Sequence, residues 1–146
     1  MKNSTPTLDY LLKSAWHSVA NKYNSIASQY GFTQAAGYIL INIHKEGTTV
    51  SAIANSTGVK TTSLSRILNN LESLGFIYRE ACKMDKRSVR VYLTELGIEK
   101  RKIAKAVVRD FNTFLNDSLQ EEEREQFVRV MSKINDLANK YEVDVK

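Results

Sequence analysis

The most constraining feature of this 146-residue sequence is a double change in the spacing of its apolar residues. Up to Gly75 the apolar residues recur every three or four positions, which is the spacing of one helix face. The segments "FIYRE" and "SVRVYLT" then alternate apolar and polar residues, as the two strands of a hairpin do. From Thr94 onward the helical spacing returns. This order of helical, alternating and again helical spacing predicts a mainly α fold with a small β-hairpin, of the α+β class.

Sequence signals for helix ends divide the helical parts into separate elements. An apolar stripe from Leu8 to Tyr30 predicts a first helix that Gly31 ends. Thr33 is the predicted N-cap of a second helix, which runs to about Lys45. The remaining predicted caps are Ser51, a residue near Thr61, and Thr94, followed by a capping box of Ser118 with Glu121.

The positive charge of the chain is concentrated in its middle. Residues 61–109 carry 11 cations and 5 acids, whereas residues 110–146 carry 5 cations and 9 acids. This asymmetry predicts that the middle faces a polyanion, with an ordinary solvated surface as the alternative. The stretch "KRKIAKAVVR" from Lys100 is predicted to be a solvated helix face, with a position bordering the DNA as the alternative.

Composition and length limit where the protein works and how it is organised. A single cysteine excludes a disulfide framework within the chain, which favours a reducing cytosol. The N-terminal "MKNSTPTLDY" lacks the apolar region of a secretory signal, and no stretch approaches the ~18 apolar residues of a membrane span. We therefore expect a cytoplasmic protein with one domain over residues 1–146.

The centre of the chain reads as a helix-turn-helix followed by a basic hairpin. Two short helices flank Gly58, and the hairpin turn lies within "CKMDKRSVRVYLTELG". A helix with small polar residues and arginine suits the major groove of DNA. A hairpin arginine suits the narrow, electronegative minor groove. This combination is a winged helix, and it predicts binding to double-stranded DNA.

These central residues also resemble the signature of MarR-type transcription regulators. That signature reads L-E-x-x-G-φ-φ-x-R, then D-x-R, then φ-x-L-T-x-x-G, where φ is apolar. The matching residues are Leu71, Glu72, Gly75, Phe76, Ile77, Arg79, Asp85, Arg87, Val91, Leu93, Thr94 and Gly97.

The resemblance implies a homodimer, most often a repressor that releases DNA when a small, commonly phenolic, ligand binds. It divides the chain into a winged helix-turn-helix at about 33–97 and dimerisation helices at about 8–30 and 98–142.

The candidate DNA-binding residues lie on the second short helix and on the hairpin. Arg66 is predicted to contact a base or a phosphate, and the alternative is a surface ion pair with Glu72. The small polar residues that begin this helix are predicted to face DNA, and the alternative is that they only cap the helix. By resemblance, Arg87 enters the minor groove, with a solvated charge on the hairpin as the alternative. Asp85 repels phosphate, so it is predicted to shape the turn and to orient Arg87 through a charge-assisted hydrogen bond. The full set is Thr61, Thr62, Ser63, Ser65, Arg66, Lys86, Arg87 and Arg90.

The other chemically notable residues favour plainer roles. Cys82 at the base of the hairpin is predicted to fill space rather than to sense oxidants. His17 and His44 lie far apart without further ligands at metal spacing, so no metal or other cofactor is predicted. Three aromatic residues are candidates for a ligand pocket, although core packing is the stronger interpretation: Trp16, Tyr30 and Tyr38.

Two other classes of function compete with DNA binding. An enzyme is not predicted, because the sequence shows no nucleophile–base pairing and no Gly-rich phosphate loop. The alternative is a winged-helix module that binds protein and has lost contact with DNA. Such a module more often exposes apolar residues on its second helix, where this chain has Thr62, Ser63 and Arg66.

Overall fold

The computed structural model describes residues 4–84 and 88–144, which form six helices and three strands. The chain divides into two compact units, Met1–Val107 and Val108–Lys146. The predicted mainly α fold with a small β-hairpin is confirmed, whereas the single domain stays a prediction. In chain order the elements are α1 Leu8–Ser28, α2 Gln34–Ile41, β1 Thr48–Thr49, α3 Val50–Thr57, α4 Thr61–Ser73, β2 Ile77–Ala81, β3 Val89–Leu93, α5 Glu95–Ser118 and α6 Glu121–Lys140.

The connection from α2 to β1 is longer than the sequence predicts. The Thr33 cap is confirmed, because its hydroxyl oxygen accepts a hydrogen bond from the Ala36 amide at 3.1 Å. Helix α2 nevertheless ends at Ile41 rather than near Lys45. A turn follows, closed by Gly47 at φ +94°, and it delivers the chain into β1.

The predicted cap at Ser51 is wrong by two residues, whereas the cap predicted near Thr61 lies at the residue before it. Helix α3 is capped by Thr49, whose hydroxyl accepts from the Ala52 amide at 3.2 Å, and not by Ser51. The N-cap of α4 is Lys60, which makes no side-chain capping bond, and Thr61 is already helical. The helices begin earlier because Thr49 and Lys60 hold the extended backbone that an N-cap requires.

The predicted capping box before α6 is also displaced. Ser118 does not cap α6, because it is itself the last residue of α5, and its hydroxyl donates back to the Phe114 carbonyl at 2.7 Å. The box is formed instead by Gln120 and Glu123. In it, the Glu123 carboxylate accepts from the Gln120 amide at 2.9 Å.

The core of the first unit joins the helix-turn-helix to the hairpin. The hairpin strands contribute side chains from one face only, because residues on a strand alternate between faces. Strand β3 lies between β1 and β2, antiparallel to both, with Thr48 opposite Val91 and Ile77 opposite Leu93. The largest fully buried side chains are Ile39, Leu40, Ile43, Ile53, Leu64, Leu68, Leu71, Ile77 and Val91.

Helix α5 begins at a close contact with the turn that precedes β2. The Thr94 hydroxyl accepts from the Gly97 amide at 3.0 Å and donates to the Gly75 carbonyl at 2.6 Å, which confirms Thr94 as the cap. Gly97 packs against the backbone of Phe76 so closely that an added Cβ would collide with its carbonyl oxygen.

Apolar side chains are exposed on the helices at both ends of the described chain. Helix α1 buries only Ala27, and α6 buries no residue. None of the helices in residues 4–84 and 88–144 is long and apolar enough to cross a membrane.

Candidate nucleic-acid interface

The turn between α3 and α4 is held by a short local network. Gly58 adopts φ +70°, a left-handed conformation that glycine reaches without steric penalty. The Thr57 hydroxyl donates to the Ile53 carbonyl at 2.7 Å and accepts from the Val59 amide at 3.3 Å. These bonds fix how α4 leaves α3.

The buried leucines of α4 determine which residues it presents to solvent. Leu64, Leu68 and Leu71 are fully packed in the core, so the opposite side of the helix is exposed. All of the α4 residues predicted to bind DNA are exposed, and we call them the α4 polar face: Thr61, Thr62, Ser63, Ser65 and Arg66.

The suggested surface ion pair between Arg66 and Glu72 is wrong. The Glu72 carboxylate binds Arg79 instead, with 2.6 Å between Oε2 and Nε. Within the described residues, Arg66 belongs to no ion pair. Its side chain is exposed to solvent.

The hairpin tip lies outside the described residues, and so do Asp85, Lys86 and Arg87. Their roles at DNA stay predictions. Close to the tip, the Cys82 amide donates to the Ser88 carbonyl at 2.8 Å, which extends the strand pairing beyond β2 and β3. The Cys82 side chain is half-buried and forms no disulfide.

Arg90 has an intramolecular partner that the sequence did not suggest. Its Nη1 donates to the Gly47 carbonyl at 3.0 Å, so the guanidinium ties β3 to the turn before β1. An added Cβ on Gly47 would meet Arg90 Cδ at 2.9 Å, which shows how closely the two are packed. A DNA contact by Arg90 stays a prediction, and this structural role stands beside it.

Arg79 connects the hairpin to α4. Its Nε binds Glu72 as described above, and its Nη2 donates to the Asn69 side-chain oxygen at 2.7 Å. In the sequence, Arg79 had a place in the family signature but no predicted structural role. The contact was missed because it spans the turn at Gly75, where helical spacing no longer predicts neighbours.

A cavity of about 310 Å³ lies between the hairpin and the two helices of the helix-turn-helix. The lining residues are Val50, Ser51, Ser65, Leu68, Arg79, Ser88 and Val89.

Two cationic side chains near the start of α5 donate hydrogen bonds to backbone carbonyls, so they are not simply solvated. Lys100 Nζ donates to the Tyr30 carbonyl at 2.9 Å and lies 5.8 Å from the centre of the Phe76 ring. Arg101 Nη1 donates to the Ile43 carbonyl at 2.8 Å. The two residues tie α5 to the segments that follow α1 and α2.

The three aromatic residues that are candidates for a ligand pocket are exposed to solvent in the single chain. The exposed fractions are 55%, 41% and 42% for Trp16, Tyr30 and Tyr38, so core packing of these rings within the chain is wrong. The cavity at the hairpin is lined by other residues, and a pocket at the three rings stays a prediction. Over the described ranges, no three His, Cys, Asp or Glu side chains cluster closely enough to hold a metal ion.

A helix-turn-helix packed against a small antiparallel sheet with a basic hairpin defines a winged helix-turn-helix protein. A family model described as the MarR family matches residues 30–88. Over this segment the chain is similar to the MarR family, as the sequence signature predicted.

Solved structures with the same fold include complexes with DNA. The MepR–DNA complex of S. aureus is 26% identical and has a TM-score of 0.83, over 90% of this chain and 98% of that one. A cysteine-to-serine mutant of MarR from E. coli, complexed with operator DNA, is 24% identical with a TM-score of 0.78, over 87% and 92%. The transcriptional regulator SlyA is 21% identical with a TM-score of 0.80, over 91% and 94%.

Proposed function

We propose that the chain is a homodimeric transcription regulator that binds specific sequences of double-stranded DNA and acts as a repressor in the cytoplasm. The observation that carries the proposal is the α4 polar face. It exposes small polar residues and Arg66 on a helix whose other side is fixed in the core. A helix presented in this way fits the major groove, where each base pair displays a distinct donor and acceptor pattern.

The comparisons support DNA as the partner. MepR, a relative with the same fold along almost its whole length, is described in complex with DNA. The middle of this chain also carries the basic excess that binding to phosphates requires. These facts favour DNA binding over a protein-binding module, which more often exposes apolar residues on the second helix.

Exposed apolar side chains on the terminal helices support a homodimer. On α6, Phe127 is 61% exposed and Leu137 is 63% exposed, and α1 exposes Leu8, Leu11 and Trp16. Apolar stripes of this length are buried in stable proteins, and a second copy of the chain supplies a matching surface. Release by a small ligand follows from the family resemblance.

DNA selection tests the function directly. The protein is incubated with a random pool of duplexes, and bound fragments are sequenced. We expect a pseudo-palindrome with half-site centres about 34–36 Å apart, one helical turn, because a twofold dimer places its two α4 helices on one side of the duplex. Affinity should fall with salt, with a log–log slope of about −0.9 per neutralised phosphate. A pool that stays unenriched would overturn the proposal.

Arg66→Ala tests how α4 contacts the selected operator. We expect affinity to fall about 5- to 100-fold and preference to relax at particular base pairs, as loss of a base-edge contact does. The matched control is Lys102→Ala, which removes an exposed cation from α5. An equal loss of affinity on every DNA sequence would show that Arg66 contacts phosphate. Unchanged affinity would show that Arg66 does not contact DNA.

A further inference from the structure

We propose that Arg79 is a positioning residue that sets the direction of the hairpin relative to α4, through its bonds to Glu72 and Asn69. The inference rests on the proposed DNA-binding function. It concerns how α4 and the hairpin reach the duplex at the same time, and it does not require Arg79 to touch DNA.

The geometry of Arg79 makes it a bridge between two elements. The residue lies in the middle of β2, and both of its acceptors lie on the C-terminal half of α4. Nε lies 2.6 Å from Glu72 Oε2, and Nη2 lies 2.7 Å from Asn69 Oδ1. A planar guanidinium with two fixed acceptors restricts orientation more strongly than one point contact does.

The outer part of the hairpin is less tightly packed than its root. At its root, Ile77 and the opposed Leu93 are buried in the core. Farther out, Val89 is only half-buried and borders the cavity of about 310 Å³. Arg79 lines the same cavity, so it supplies a polar link between the hairpin and α4 where the two are not fully packed together.

Because the ion pair is partly exposed, its role in orienting the hairpin can be tested without a large change in folding stability. The Arg79 and Glu72 side chains are 30% and 43% exposed, and ion pairs at such sites add little to folding stability. Loss of the pair should therefore leave the protein folded. Its effect should appear where direction matters, in the simultaneous fit of α4 and the hairpin to DNA.

Glu72→Ala distinguishes positioning from simple electrostatics. Removing an acid near DNA makes the surface more positive, so electrostatics alone predicts tighter binding. Release of Arg79 from its acceptor predicts weaker binding despite the added positive charge. The matched control is Glu80→Ala, which removes the same charge from the next residue of β2. Glu80 is exposed on the other face of that strand, and its carboxylate takes part in no hydrogen bond or ion pair among the described residues.

Titrations use the operator that the parent protein selects, at fixed salt. We expect Glu80→Ala to bind as tightly as the parent or a few-fold more tightly, and Glu72→Ala to bind about tenfold more weakly, the scale of a lost charged hydrogen bond. Hydroxyl-radical protection at the minor-groove flanks should weaken in Glu72→Ala, whereas methylation protection of major-groove guanines should persist. Melting temperatures should agree within about 3 °C.

Arg79→Lys provides a second, independent measurement. It keeps the positive charge and loses the fork that reaches both acceptors, so we expect binding about fivefold weaker than the parent. Parent-like affinity of Arg79→Lys would show that a point charge suffices and would overturn the positioning role.

Three further results would overturn the role of Arg79. They are Glu72→Ala binding as tightly as Glu80→Ala, unchanged flank protection in Glu72→Ala, and unfolding of Glu72→Ala, which would make the pair a stability element. These outcomes leave DNA binding by the parent intact. A parent that selects no DNA would instead defeat the proposed function, and the role of Arg79 would fall with it.

Discussion

Gly97 occupies a position where a single methyl group decides whether α5 can begin in its observed place. The residue is helical and lies directly against the Phe76 carbonyl oxygen, which belongs to the backbone and cannot rotate away. The Thr94 amide also donates to this carbonyl, at 3.1 Å. Any side chain at position 97 would therefore move the helix away from the turn before β2.

Gly97→Ala should destabilise the protein, although alanine favours helices more than glycine does. We expect a loss of about 1–3 kcal/mol in the free energy of unfolding, the range for overpacked sites. The control is Gly37→Ala in α2, where the atoms nearest to an added Cβ belong to side chains and not to the backbone, with the edge of the Phe32 ring at 3.0 Å. Urea denaturation at fixed protein concentration measures both variants. A Gly97→Ala protein as stable as the parent contradicts the close approach.

Among the elements, α5 depends on Thr94 for both its start and its attachment to the hairpin. One hydroxyl accepts from the helix and donates to the Gly75 carbonyl, so it connects two elements. Thr94→Ala should lower the free energy of unfolding by about 1–2 kcal/mol, as loss of an N-cap does. Thr94→Ser keeps the hydroxyl and should lose much less. Equal stability of the two variants in thermal unfolding would argue against the capping role.

Sequence spacing predicted the elements of the first unit better than their ends. The leucines of α4 and the alternating strands carry strong periodic signals, and both elements formed as expected. Caps were misplaced because several adjacent residues, such as Thr49 and Ser51, have suitable side chains and only the backbone decides between them. The Arg79 contacts depend on how two elements meet in space, which the spacing of residues along the chain does not encode.

At the scale of the whole molecule, exposed apolar faces predict that the chain assembles with a copy of itself. Leu137→Asp places a charge in the apolar stripe of α6, and burial of an unpaired charge is strongly unfavourable. We expect the parent to sediment as a dimer at micromolar concentration and Leu137→Asp to shift towards monomer. Asp136→Ala, a change at the neighbouring residue outside the stripe, should remain dimeric. A parent that is a stable monomer would contradict the assembly.

The half-buried thiol of Cys82 has a practical consequence for spectroscopy. The chain contains a single cysteine, and it lies where the two strands of the hairpin approach the tip. A thiol-directed spin label therefore attaches at one defined place per chain, without any engineered substitution. In a dimer, the two labels would give one distance between the hairpins, and pulsed electron resonance with and without operator would record how that spacing changes.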